Sequence, residues 1–268
     1  MRKLLVSIDR NLESSYALRT ACLLGDSVSI ETIHSVDPPD RDMSFGAGWA
    51  RVSWEREAGR LSRISIEGVI SAEKNQHPNI KSPVILAGDP IQESAHYYWA
   101  GAYDLLVFGA PYRGLHPLAL VKKCSYIARK ENKEIALLIV HNLRQIRHIV
   151  ALTDGSEMAE KALGKLVQIG SMISPEITLI GLPAGDSPSV NTDGTTLERG
   201  MAILTEKGFS PSGYTSSELG PEGLCKQLDV SDMAVSPFLT DAKRYKNLID
   251  YFENDFQSVL FYLGRESG

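Results

Sequence analysis

Cysteine is scarce here: 268 residues hold three, Cys22, Cys124 and Cys225. They form no C-x-x-C pair, no zinc-ligand spacing and no even set, which argues against a disulfide framework or a structural metal and for a reducing cytoplasm. Long apolar runs are missing too. The longest, such as "IALLIV", are strand-sized and far short of the roughly 20 residues of a membrane-spanning helix. The opening "MRKLLVSIDR" reaches Asp9 after too short an apolar stretch for a secretory leader. Positive charge is in deficit, with 28 Lys and Arg against 33 Asp and Glu, a net charge of −5. Bulk electrostatics therefore favour neither a nucleic-acid nor a membrane partner. The local cluster Lys122, Lys123, Arg129 and Lys130 reads as a solvated helix face. Catalytic signatures are also wanting: the chain has no G-x-S-x-G elbow, no H-E-x-x-H and no GxxxxGK[ST] loop. The single Asp of "SIDRN" lacks the acidic neighbour that a phospho-receiver site needs for its metal. The expectation is a non-enzymatic protein.

What is present is a repeat. "IDRNLESSYAL" (residues 8–18) and "TDGSEMAEKAL" (residues 153–163) place Asp9 and Asp154, Ala17 and Ala162, and Leu18 and Leu163 at a constant spacing of 145. An apolar fraction of 43% over 268 residues supplies the core for two domains. In the first half, strands are expected at Lys3–Ile8, Ser27–Val36, Ser82–Gly88, Asp104–Gly109 and Glu134–His141. Helices between them are expected over Leu12–Leu24, from Trp54 to about Glu73, from Asp89, and over Leu118–Lys130. A Pro- and Gly-rich loop is expected over Asp37–Ser53. After "NLRQIR" the order restarts, with strands at His148–Asp154, Glu176–Leu182, "SGYTSSELG", Asp232–Pro237 and "SVLFYLG". Its helices are expected over Ser156–Ile169, Leu197–Lys207 and Tyr245–Phe252, the first capped by Ser156. Asp104 matches Asp232 at a spacing of 128, so the second copy is the shorter. The predicted architecture is α/β: two tandem Rossmann-like domains, 1–143 and 147–268, each a mainly parallel five-stranded sheet flanked by helices.

Ligands of such sheets sit beyond the carboxyl ends of the strands. That places Asp9, residues 36–39, Gly88 and residues 109–117 at one site, and Asp154, Pro183 and residues 236–239 at a second. The blocks "VSIDRNLESSYAL", "IHSVDPP", "AGDPIQESA…AYDLLVFG" and "VALTDGSEMAEKAL" resemble successive blocks of the universal stress protein family. The resemblance implies a nucleotide site for ATP in the first domain, with Asp9 contacting adenine and His34 to Val36 lining its pocket; Asp154 would be the vestigial counterpart. It also implies that the two halves pair through their last strands, setting "EIALLIV" beside "SVLFYL", and further self-association into a homodimer is an open expectation.

The family's phosphate loop, G-x-x-G-x9-G-[S/T], is met only in part. Gly109 stands at the first glycine, but Tyr112 replaces the second. A shifted reading uses Gly114 with Cys124-Ser125, and a continuous one puts Val121-Lys122 at the Gly-Ser position. Arg113, Gly114, Lys122 and Ser125 are thus the phosphate candidates, while "DMAVSPFLTDAKRYKNL" has no glycine and its site is expected to be lost. Plainer roles stand beside these: Asp9 and Asp154 as caps, Gly109 as a tight turn, Arg113, His116, Lys122 and Lys123 as basic surface, and Tyr97, Tyr98 and Trp99 as packing. Phe45 and Trp49 either fold into the core or lid an apolar pocket. The function expected is a cytoplasmic, ligand- or nucleotide-responsive stress protein. A nucleotide-independent scaffold, a weak ATPase and a carrier of a small apolar molecule are the alternatives.

Overall fold

In the computed structural model, residues 2–25, 27–36, 47–183, 192–237, 248 and 258–264 are described. The first half runs β1 (Lys3–Ser7), α1 (Leu12–Leu23), β2 (Ser29–Val36), α2 (Ala47–Lys74), β3 (Val84–Ala87), α3 (Pro90–Ala100), β4 (Leu105–Gly109), α4 (Pro117–Lys130) and β5 (Ile135–Val140). The second runs β6 (His148–Thr153), α5 (Glu157–Ile173), β7 (Glu176–Gly181), α6 (Thr192–Glu206), β8 (Ser212–Thr215), α7 (Ser216–Asp229), β9 (Met233–Pro237) and β10 (Ser258–Leu263). Several helix starts are fixed by side chains that accept otherwise unpaired amides. Asn11 accepts from the Ser14 amide, Asp89 from those of Ile91 and Gln92, and Ser156 from that of Ala159.

All ten strands form one sheet in the order β3-β2-β1-β4-β5-β10-β9-β6-β7-β8. Within each half every pairing is parallel. The halves meet where β5 and β10 run antiparallel, with Leu138 opposite Leu260 and Ile135 opposite Leu263. Side chains alternate across the sheet. Ile135, Leu137 and Ile139 join a core under α3, α4 and α7, while Ala136, Leu138 and Val140 join one under α1, α2, α5 and α6. Polar contacts reinforce the join: Tyr262 Oη donates to Glu134 Oε2 at 2.7 Å, and Lys161 pairs with the same carboxylate.

Several elements depart from expectation, among them α6, which begins at Thr192, five residues before Leu197. Helix α2 begins at Ala47, seven residues before Trp54, so Trp49 is helical rather than in a loop; the good helix formers Ala47, Ala50 and Arg51 outweigh Gly48. Phe45 lies outside the described residues. Strand β8 ends at Thr215, because Thr215 and Glu218 form a reciprocal capping box that starts α7 inside "SSELG". Gly220, at φ +63°, then breaks that helix before Pro221. Of the helix expected over residues 245–252, only Leu248 is described, helical and buried.

The repeat is exact at one polar clamp. The Arg2 and Lys3 amides donate to Asp104 Oδ2 at 2.7 and 3.1 Å; the Arg147 and His148 amides donate to Asp232 Oδ2 at 2.8 and 3.0 Å. Each Asp thus ties the start of one strand to the start of its neighbour. Burial opposes ionisation of Asp104, but the two amides and the nearby Lys165 outweigh it and hold its carboxyl below the usual range. A lowered folded-state value adds stability that is fully present above about pH 4 and lost as pH falls through the lowered value. Asp104→Ala is expected to cost about 1 kcal/mol near neutrality, with the difference from wild type closing below about pH 4. Thermal unfolding against pH for both proteins measures this.

Candidate functional site

The carboxyl ends of β1, β2 and β4 converge on Asp9. Its amide donates to Ser14 Oγ at 2.8 Å, and its Oδ1 accepts the Arg10 amide at 2.8 Å. The cap of α1 is Asn11 rather than Asp9, leaving the other carboxylate oxygen to face inward. That oxygen, Oδ2, accepts Nε–H of Arg113 at 2.8 Å. The Arg113 Nη2 group also donates to the backbone carbonyl of Ser35. Side-chain exposures of 23% for Asp9 and 20% for Arg113 put the pair in a recess rather than on open surface.

His34 flanks this arrangement, its Nδ1 2.9 Å from the Ile8 carbonyl and 3.9 Å from Asp9 Oδ1. A carbonyl only accepts, so Nδ1 carries the proton in the neutral ring. Burial pushes the His34 imidazole below its ordinary value. The Ile8 carbonyl and Asp9 oppose that shift, and Arg113 adds to it. Ser35 is also buried, and its Oγ has no hydrogen-bond partner among the described residues.

Arg113 is held by the loop after β4. Tyr112 and Leu115 exchange backbone hydrogen bonds of 3.2 and 2.9 Å, and Arg113 and Gly114 between them have φ of +48° and +76°. Left-handed conformation at both central residues is what a type I′ turn requires. Tyr112 anchors the turn: it is wholly buried, packs edge-on against Phe108, and its hydroxyl lies 3.0 Å from Ser7 Oγ. Ser7 Oγ in turn accepts from Ser94 at 3.2 Å. The sequence marked Tyr112 only as standing where the second glycine belongs, and it gave no sign of Ser7 or Ser94; the available signal was "YRGL", an Arg-Gly pair bounded by large apolar residues.

The other candidates scatter. Val36 ends β2 half-buried, and its carbonyl accepts the Gly88 amide at 3.0 Å. Gly114 is exposed. Lys122 is exposed on α4, and Ser125 is buried two turns into that helix, about 12 Å along its axis from Pro117, where Arg129 donates to its hydroxyl at 3.1 Å. Neither makes a hydrogen bond or ion pair with Asp9, whose side chain is held by Arg113 and the Arg10 amide. Burial pushes the neighbouring Cys124 thiol up to about 12, marking it as a packing residue. Gly109 does serve a close approach, but to protein: a Cβ there would lie 2.1 Å from the Glu13 carbonyl oxygen in α1. Lys123 pairs with Asp89 at 2.7 Å. Among the described residues no group of three His, Cys, Asp or Glu is placed to hold a metal ion, and no helix is long and apolar enough to cross a membrane.

In the second half Asp154 Oδ1 accepts the Ser156 amide at 3.0 Å, a local turn. Strand register makes Leu182 the counterpart of Ser35. Its carbonyl accepts the Thr196 hydroxyl of α6 at 2.9 Å, and Thr196 is buried. Both copies therefore fill this carbonyl from within, with different residues. Residues 238 and 239 of the second site lie outside the described residues.

The Gly109 contact sets a test. Gly109→Ala forces the α1 backbone aside and is expected to cost about 1–3 kcal/mol in ligand-free protein, read by denaturant unfolding. Unchanged stability would assign Gly109 to ligand approach instead.

No family model and no curated protein matches the sequence. Solved structures do match. A universal stress protein from Archaeoglobus fulgidus DSM 4304 aligns with TM-score 0.63 at 13% identity, covering 99% of this chain and 97% of that one. A functionally unknown protein from Pseudomonas aeruginosa PAO1 aligns with TM-score 0.56 at 14% identity, covering 97% and 92%. Over its whole length the chain has the fold of a universal stress protein in tandem form.

Proposed function

We propose that this protein is a non-enzymatic, cytoplasmic stress factor of the universal stress type, which binds an adenine nucleoside or nucleotide in its first half alone. One observation carries the reading: two acceptors, the Asp9 carboxylate and the Ser35 carbonyl, converge in a recess where a planar N–H-bearing group is bound between them. The amino edge of adenine offers the same kind of donor. The Ser35 hydroxyl, without a hydrogen-bond partner among the described residues, adds a polar group that a ligand would satisfy.

Phosphates contribute less in this reading. The loop after β4 is a closed turn and supplies no glycine cradle. The α4 start has Pro117 at its first position and no side-chain cap, so base and ribose carry the affinity, with ATP bound but not turned over. The second half has a structural role, its equivalent carbonyl being satisfied by Thr196.

Calorimetric titration of the stripped protein with adenosine and with ATP tests this. One saturable site per chain is expected, weakened at least about tenfold by Asp9→Ala (roughly the worth of a charge-assisted hydrogen bond), with no phosphate released. Binding indifferent to Asp9→Ala contradicts the site, and phosphate release that depends on Asp9 favours the weak ATPase. No binding at millimolar ligand favours the scaffold, and co-purified lipid the apolar carrier.

A further inference from the structure

The pair of acceptors just described is already occupied, and the occupant belongs to the chain. The Arg113 guanidinium is planar, bears N–H groups on its edge, and spends two of them on the acceptors assigned to the ligand. An adenine amino group that donates its two N–H bonds to these acceptors therefore cannot hold both at the same time as the Arg113 side chain. Resting on that assignment, we propose that Arg113 is a built-in competitor: a side-chain gate that fills the base pocket in the free protein and must leave for an adenine nucleoside to enter.

Geometry decides what moves. Tyr112 is wholly buried and bonded to Ser7, and the Tyr112–Leu115 turn is closed by backbone bonds at both ends. The backbone of residue 113 is thus pinned, and opening is a rotation of the Arg113 side chain rather than a loop motion. Solvent reaches a fifth of that side chain, which leaves it a path outward. The φ of +48° at Arg113 supports the same view. Left-handed backbone is disfavoured for Arg, whereas Asn adopts it readily and Asn-Gly is the preferred pair for this turn. The local conformation alone gives no reason for arginine at this position; the contacts of its guanidinium with Asp9 and Ser35 do.

Competition of this kind lowers apparent affinity by the fraction of molecules whose pocket is open. With a partly buried charge pair closing it, an open fraction on the order of one in ten or less is expected. The protein would then respond only to high ligand concentrations, and binding would expose a cation that the free protein conceals.

Arg113→Asn tests the gate without threatening the turn, and unchanged thermal unfolding within a few degrees checks that the fold is intact. Adenosine is the probe because it needs no phosphate cradle. Calorimetry on the full chain should give at least about tenfold tighter adenosine binding for Arg113→Asn than for wild type, and the gain should vanish in Arg113→Asn combined with Asp9→Ala. Equal affinity in wild type and Arg113→Asn overturns the gate while leaving the nucleoside site standing. No saturation of either protein at millimolar adenosine overturns both.

Discussion

The antiparallel join of β5 to β10 is the contact on which the rest of the molecule depends. A parallel sheet must have both faces covered and its edges managed. Each half alone would end at an apolar strand: all six residues of Ile135–Val140 are buried, and so are five of the six of Ser258–Leu263. Paired, they become the centre of a ten-stranded sheet, and the edges fall to β3 and β8, which have four residues each. Each fully buried Leu, Ile or Val contributes about 1.5–3 kcal/mol, so the join outweighs any single surface ion pair. It also fixes the carboxyl ends of the strands of the two halves relative to each other.

Each copy places an Asp and a second-strand carbonyl at equivalent register positions, and in each the carbonyl is satisfied from inside. The solutions differ in mobility. Thr196 is a short, buried side chain on a helix, and its methyl group packs where a Cβ on Gly155 would come within 2.9 Å. Arg113 is long, one-fifth exposed, and reaches in from a surface turn. A short buried contact is permanent packing, whereas a long side chain at a recess edge is replaceable. That difference is why ligand response is assigned to the first half.

Much of this was legible in the chain. Strand positions followed from short apolar runs, and the repeat from the constant spacing of Asp9 and Asp154. The Ser156 cap was legible from its local sequence. Less legible was whatever depends on three-dimensional closure. Asp9 could be placed at a strand end, but its partner lies 104 residues along the chain, and no local pattern announces an ion pair of that separation. Gly109 was readable as a phosphate approach or a tight turn, and neither reading reached the α1 backbone that it admits. Lys122 and Ser125 were drawn in by counting along a loop pattern, although the helix expected over Leu118–Lys130 already contained both; the structure confirms that helix, with Lys122 exposed and Ser125 bonded to Arg129. The early start of α2 and the capping box of α7 show propensity and capping overriding boundaries drawn from apolar periodicity alone.

The central claim is that one guanidinium and one ligand compete for the same two acceptors. The most direct measurement is the Nε–H resonance of Arg113 in isotopically labelled full-length protein, followed through an adenosine titration. A hydrogen-bonded, exchange-protected signal that moves to the solvent-exposed position as the ligand saturates is the predicted result. A signal that stays protected and unshifted at saturation would mean that ligand and guanidinium occupy different places, and would contradict the account.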